Sequence, residues 1–238
     1  MVPPPDSLPT PWTCLLIQTE SSTVLIDTGV GEGTKSGGKL LTALTNEGLS
    51  AEDIDIVILT HIHADHIGGC TREDGQLTFP NATYVMAKNE WEFWTTEASL
   101  KTAPEWIAKT SQRVLPALSD RMRVVEDQSS IVPGICVLAA PGHTFEHMAV
   151  EITSEGERLI YLADTALHPI HVEYPHWTAV VDQFPEQTVQ TRLSLYERVA
   201  RLKSLVLVFH FDPFPSLGYI VREEDGWRWQ SIDMFSQR

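Results

Sequence analysis

No stretch of this 238-residue chain approaches the ~20 consecutive apolar residues that a membrane-spanning helix needs; runs such as Leu205 to Phe209 are far shorter. Basic residues are scarce, 17 Lys and Arg against 32 Asp and Glu, giving a formal charge of −15 with histidine neutral. A surface of that sign repels phosphate backbones and shows no concentrated basic patch, which excludes a general nucleic-acid partner and disfavours polyanionic substrates. Cysteine is sparse too. Cys14, Cys70 and Cys136 are odd in number and form no Cys-x-x-Cys, which excludes a disulfide framework and a thiolate zinc knuckle. They read as reduced packing residues. Met1-Val2-Pro3-Pro4-Pro5-Asp6 has neither the basic nor the apolar segment of a secretory signal, so a cytoplasmic, membrane-free protein is expected. What is present is 42% apolar and 21% charged residues, an ordinary globular balance on a chain long enough to bury a substantial core.

Five prolines in residues 1 to 11 preclude regular structure there, so an extended arm precedes a single domain over 12–238. Cys14 to Thr19 and Thr23 to Ile26 read as a hairpin closed by Asp27-Thr28-Gly29. Gly31 to Gly38 is a glycine-rich loop without phosphate-binding spacing. A short helix from Leu40 to about Gly48 and a cap at Ser50 to Asp53 precede the β-branched strand Ile54 to Leu59. Strands are predicted at 83–87, Ile135 to Ala140, Ala149 to Thr153, Leu159 to Ala163 and Leu205 to Phe209, with helices near 88–99, 104–118 and 186–203. This order is a mixed α/β architecture with helices covering sheets.

Histidine is concentrated where it matters. His61, His63, Asp65 and His66 fall within six residues and are followed by Gly68-Gly69. Imidazole and carboxylate are the ligands that suit zinc and related divalent ions. On a continued strand His61, His63 and Asp65 would share one face and His66 would point away, so the segment needs a turn or two ions. His143, Asp164 and His210 each follow an apolar run, as His61 does, and strand ends are where a scaffold holds its chemistry. His147, His171 and His176 read as surface or supporting residues.

With His-x-His-x-Asp-His at 61–66, Pro141-Gly142-His143-Thr144, Asp164, His210 and the upstream Asp27-Thr28-Gly29, nearly the whole chain resembles the metallo-β-lactamase-fold hydrolases. The resemblance implies an αββα four-layer sandwich with two metal ions at one edge. It implies His61, His63 and His143 on one ion, Asp65, His66 and His210 on the other, Asp164 bridging them, and Asp27 as a structural support. The ions implied are zinc, with iron and manganese as alternatives. The expected reaction is hydrolysis by a hydroxide bridging two ions, without an acyl-enzyme; Asp65 is also placed to relay a proton, and no Gly-x-Ser-x-Gly offers a serine nucleophile.

Within the superfamily, 28 residues after His210 are too few for the helical domain of glyoxalase II. The acidity disfavours RNA-processing branches, His63 stands where flavodiiron proteins carry a carboxylate, and dinuclear zinc β-lactamases lack an acidic bridge at the Asp164 position. The segment Asp164 to Trp177, with Arg192 and the stretch His210 to Pro215, is similar to the N-acyl-homoserine lactonase and methyl-parathion hydrolase group. The lactonases place a catalytic tyrosine three residues after the bridging Asp; here that residue is Leu167. His168, one step on, is a candidate to bind substrate oxygen or donate a proton, with orienting Asp164 or capping a turn as the competing roles. The expected substrate is a small, neutral, partly apolar ester, lactone or organophosphate. Trp91, Phe93, Trp94, Trp177, Phe184, Phe211 and Phe214 are candidates for an apolar pocket or for plain core packing. Thioester hydrolysis, an iron persulfide dioxygenase and a non-catalytic metal-binding sensor are the alternative functions, and a homodimer is compatible with the chain.

Overall fold

The computed structural model describes residues 11–32, 37–211 and 214–232. The expected arm therefore lies, Pro11 apart, outside the described residues, as does the middle of the glycine-rich loop. Strands β1 (Leu15–Gln18), β2 (Thr23–Ile26), β3 (Ile56–Ile58), β4 (Thr83–Ala87) and β5 (Met122–Val125) form one sheet in that order. Strands β1 and β2 make the antiparallel hairpin that Glu20-Ser21-Ser22 turns, and the remaining pairs are parallel. The second sheet contains β6 (Ser130–Val132), β7 (Ile135–Ala139), β8 (Met148–Ser154), β9 (Glu157–Tyr161), β10 (Leu205–Leu207), β11 (Leu217–Glu223) and β12 (Gly226–Ser231). Its neighbours are antiparallel except β9 and β10.

Alternation along the strands builds the layers. Val24, Ile26, Ile58 and Val85 face Val137, Val150, Tyr161 and Leu207 between the sheets. The intervening Leu25, Val57, Tyr84 and Met86 face outward. They are covered by helices α1 (Leu40–Asn46), α2 (Ala64–Ile67), α3 (Lys88–Trp94), α4 (Glu97–Thr102) and α5 (Glu105–Leu118). On the far side Leu138, Ala149, Ile160 and Val206 pack under Leu195, Tyr196 and Val199, with α6 (Ile170–Glu173) and α7 (Pro185–Leu202) outside. The result is the four-layer αββα sandwich. A parallel β9–β10 pair requires a long crossover, and the excursion through α6 and α7 supplies it.

The helix expected over 88–99 is broken, because Thr96 accepts the Ser99 amide and starts α4 afresh. Strands β5, β6, β11 and β12 and helices α2 and α6 were not predicted. In β11 and β12, buried Ile220 and Trp227 alternate with exposed Tyr219 and Arg228, so few residues carry the apolar signal.

Candidate metal centre

Each apolar strand stops short of its polar successor. The ladder of β3 ends at Ile58; Leu59 N–H still donates to Val85 O, and Thr60 O accepts Met148 N–H from the other sheet. His61 follows at the seam between the sheets. His63 then precedes α2, which carries Asp65 and His66, so the turn resolves the conflict of faces seen in a continuous strand. The turn needs glycine behind it. A Cβ on Gly69 would lie 2.2 Å from Thr28 O, so only glycine lets α2 settle against the Asp27-Thr28-Gly29 turn. His143 follows β7 after Pro141-Gly142, Asp164 follows β9 within a single 3₁₀ turn, and His210 follows β10.

Seven side chains meet there in two groups, His61, His63, His143 and Asp164 beside Asp65, His66 and His210. Asp164 stands between them: Oδ2 is 3.1 Å from His143 Nε2 and 3.8 Å from His61 Nε2, while Oδ1 is 3.2 Å from His66 Nε2 and 3.5 Å from His210 Nε2. His63 Nδ1 is 2.9 Å from His143 Nε2, and Asp65 Oδ2 is 3.4 Å from His210 Nε2. Donors bound at about 2 Å to a tetrahedral ion stand roughly 3.3 Å apart, so these spacings suit ligands sharing an ion.

The outer ring nitrogens are taken by oxygen. Nδ1 of His66 meets Asp27 Oδ2 at 2.8 Å, Nδ1 of His143 meets Asp182 Oδ1 at 2.9 Å, and Nδ1 of His210 meets Pro11 O at 3.1 Å. Carboxylates and carbonyls only accept, so Nδ1 carries a proton, and once the ring is neutral Nε2 presents a lone pair inward. His61 Nδ1 lies 3.1 Å from Thr60 Oγ1. Nε2 of His61 and His66 and Oδ1 of Asp164 are buried without a hydrogen-bond partner. Buried polar atoms are rarely left so; a divalent cation is the partner this donor set fits.

Electrostatics divide the histidines. Burial, reinforced by neighbouring imidazoles, holds His61 and His63 well below the usual histidine range. At His143 and His210 burial acts in the same direction as the largest single influence, but the neighbouring carboxylates together, Asp164 with Asp182 at His143 and Asp164 with Asp65 at His210, push both up to about 9. His66 is likewise raised, against burial, by Asp164, Asp27 and Asp65. Burial would raise Asp164, yet His66, His210 and His143 hold its carboxyl well below the usual range.

Four residues support the centre, and two of them, Asp182 and Glu90, were not legible in the sequence. Asp182 contacts His143. His147, expected at the surface or in support, is buried and accepts the Asp164 amide through Nε2 at 3.1 Å. Glu90 is wholly buried on α3 and accepts the amides of Glu146 at 2.9 Å and Ile62 at 3.4 Å, tying together the loops of two histidine pairs. Arg192, also wholly buried, donates to the carbonyls of Thr165, Pro175 and Trp177. His168 uses Nδ1 to accept the Ile170 amide at 3.1 Å, a turn cap, and Leu167 N–H donates to His171 Nδ1. Of the expected aromatics, Trp94 and Phe211 are core. Phe93 and Phe184 are exposed and join Phe145, which lies 5.5 Å and 6.3 Å from them between ring centroids. Trp106 packs its ring 4.9 Å from that of His63.

Comparison with known proteins agrees with this architecture. A family model described as the Metallo-beta-lactamase superfamily matches residues 9–210. An N-acyl homoserine lactonase of Bacillus cereus is 26% identical over 244 residues, covering 94% of this chain and 86% of that protein. The solved structure of AidC, a dizinc quorum-quenching lactonase in complex with a product, superposes with a TM-score of 0.85 at 28% identity, covering 93% of this chain and 79% of that one. The hydrolase AbOPH, of the beta lactamase superfamily, shares the fold with a TM-score of 0.84 at 24% identity, over 92% of this chain and 79% of its own.

Proposed function

The chain belongs to the metallo-beta-lactamase superfamily of metal-dependent hydrolases, and on that premise we propose that it opens lactones or cleaves neutral esters or organophosphates with two zinc ions. His61, His63 and His143 hold one ion, Asp65, His66 and His210 the other, and Asp164 joins them. The observation that carries the reading is Asp164 itself, with one carboxylate oxygen toward each histidine group. The lactonase character of the Bacillus cereus and AidC relatives supports the substrate class.

When bound, two such ions supply an activated water near neutral pH and polarise a carbonyl or phosphoryl oxygen. The protein's own groups do the rest. Asp27 and Asp182 keep Nδ1 of His66 and His143 protonated, so each ring offers Nε2 inward. Asp65, the one half-buried member of its group, would serve as the proton relay toward the leaving oxygen. His168, four residues after Asp164 and accepting the Ile170 amide through Nδ1, is the chain's candidate to donate to substrate oxygen. That replaces the tyrosine whose position Leu167 fills. The exposed rings of Trp106, beside His63, and of the adjoining Phe93, Phe145 and Phe184 supply apolar surface suited to a neutral, partly apolar substrate rather than an anion, in keeping with the net charge of −15.

Metal analysis coupled to a panel of lactones, aryl esters, organophosphates and acyl-thioesters tests this. Two zinc ions per chain and turnover of a lactone or neutral ester are expected. Clearly fewer than two ions, or activity that survives His61→Ala unchanged, overturns it.

A further inference from the structure

The two histidine groups are braced from different parts of the molecule. Asp27, which braces His66, sits in the turn after β2 and is held there by Thr60 and by the Tyr161 hydroxyl. Asp182, which braces His143, comes from the excursion between Asp164 and α7 and lies 39 residues from the histidine it contacts. Its side chain is fully buried, and both oxygens are in use: Oδ1 faces His143 Nδ1 at 2.9 Å, and Oδ2 accepts the Ala179 amide at 2.8 Å. The backbone repeats the attachment, because Gln183 N–H donates to His143 O at 3.0 Å and Phe184 N–H to Gly142 O at 2.9 Å. A Cβ on Gly142 would stand 2.3 Å from Thr188 N, so the His143 turn and the start of α7 are pressed together behind this loop.

The other end of the excursion is pinned as well. Arg192 Nε donates to Thr165 O at 2.7 Å, and its Nη1 to Pro175 O and Trp177 O at 2.9 and 2.6 Å. Thr165 adjoins Asp164, so one buried guanidinium fixes the residue after the shared carboxylate and the entry to the Asp182 loop together. On the outward side of that loop Val180 is fully exposed.

From this we infer that Asp182 is the positioning residue of His143, and that the loop carrying it governs occupancy of the His61/His63/His143 group. The inference rests on the dinuclear reading above. An imidazole that donates Nδ1–H to a carboxylate is fixed in tautomer and orientation and is a stronger donor at Nε2, and removing such a partner weakens metal binding roughly 10–100-fold. The core-held Asp27 does not depend on the loop, so the effect falls on one ion.

The test uses the full chain loaded with zinc and equilibrated against a graded series of chelator concentrations, counting ions retained by wild type, Asp182→Asn and Asp182→Glu. In Asp182→Asn one ion is expected to leave at roughly 10–100-fold higher free zinc than in wild type, with the second unchanged and Asp182→Glu partly restored. The histidine ring nitrogen resonances identify the departing ion as the one on His143. Retention of both ions at wild-type affinity, or equal loss of both, overturns the inference. Should Asp182→Asn fail to fold, wild type alone decides: a slowly exchanging Nδ1 proton on His143 in the zinc-loaded protein is expected, and zinc on that nitrogen refutes the role. A wild type that binds two ions yet hydrolyses nothing on the panel defeats the proposed function and leaves this inference standing. An active enzyme whose Asp182→Asn variant keeps both ions does the reverse.

Discussion

Asp27 and His66 are both wholly buried, with a carboxylate oxygen of Asp27 2.8 Å from Nδ1 of His66. The same carboxylate accepts the Thr60 amide and the Tyr161 hydroxyl, so a single side chain joins the first sheet, the second sheet and α2. Removing one partner of a buried charge pair leaves the other uncompensated at a cost of about 3–5 kcal/mol. Asp27→Ala is expected to lose stability of that order in urea unfolding of the metal-free protein. A loss below about 1 kcal/mol contradicts this account of the turn.

Protons and metal compete for the same imidazoles. His143 and His210, pushed up to about 9 by their neighbouring carboxylates against burial, stabilise the metal-free fold fully below the unfolded value of 6.5 and lose that contribution as pH rises through about 9. His61 and His63, held low by burial, act oppositely: below 6.5 the unfolded chain takes up protons that the fold refuses, and stability falls with pH. The metal-free protein is therefore expected to be most stable near pH 6.5. Loading with zinc displaces protons, so its stabilising effect grows toward pH 9. Melting curves of the chelated and loaded forms from pH 5 to 9 should diverge with rising pH; parallel curves exclude the competition.

Glu90 carries a cost that titration exposes. Burial pushes its carboxyl up to about 7, although the amides of Glu146 and Ile62 pull it back. An acid whose folded value exceeds its unfolded value contributes most below the unfolded one and loses that contribution as pH rises to about 7. Rising from 4.5 to about 7 corresponds to about 3 kcal/mol. Glu90→Gln, which never ionises, is expected to gain on wild type by up to about that amount between pH 4.5 and 7, and to level off above. A stability difference that is flat across this window rules out ionisation of Glu90 inside the fold.

The legible part of this protein lies where residue type alone is diagnostic. His61, His63, Asp65 and His66 are dense enough to stand out, and His143, Asp164 and His210 follow apolar runs, so the side chains that meet at the seam could be named beforehand. Asp182 could not, because one aspartate in Val181-Asp182-Gln183 differs in nothing from the other acids of an acidic chain until the crossover folds it back on His143. Glu90 is hidden for a similar reason. On α3 it reads as a solvated helix residue, and its burial follows from how the 88–94 segment meets the Glu146 loop. The strands show the same division: β3 and all of β4 after Thr83 are apolar and largely buried, whereas β11 and β12 intersperse single buried residues such as Ile220 and Trp227 with exposed polar and charged ones.

Trp106 is absent from the aromatics that the sequence suggested, yet it is the one whose ring packs on His63, with 44% of its surface exposed. It stands in the first turn of α5, where its indole forms a wall beside the candidate metal centre. An aromatic contact of this kind contributes about 0.5–1.5 kcal/mol beyond area burial, which corresponds to roughly 2–12-fold in binding. Trp106→Ala is therefore expected to raise KM by about that factor for substrates with an aryl or longer acyl substituent. For short-chain analogues KM should change little, and zinc content should stay at the wild-type level. Steady-state kinetics on a matched pair of esters differing only in that substituent provide the measurement. An equal rise in KM for both members places Trp106 outside the apolar subsite and assigns it to orienting His63 instead.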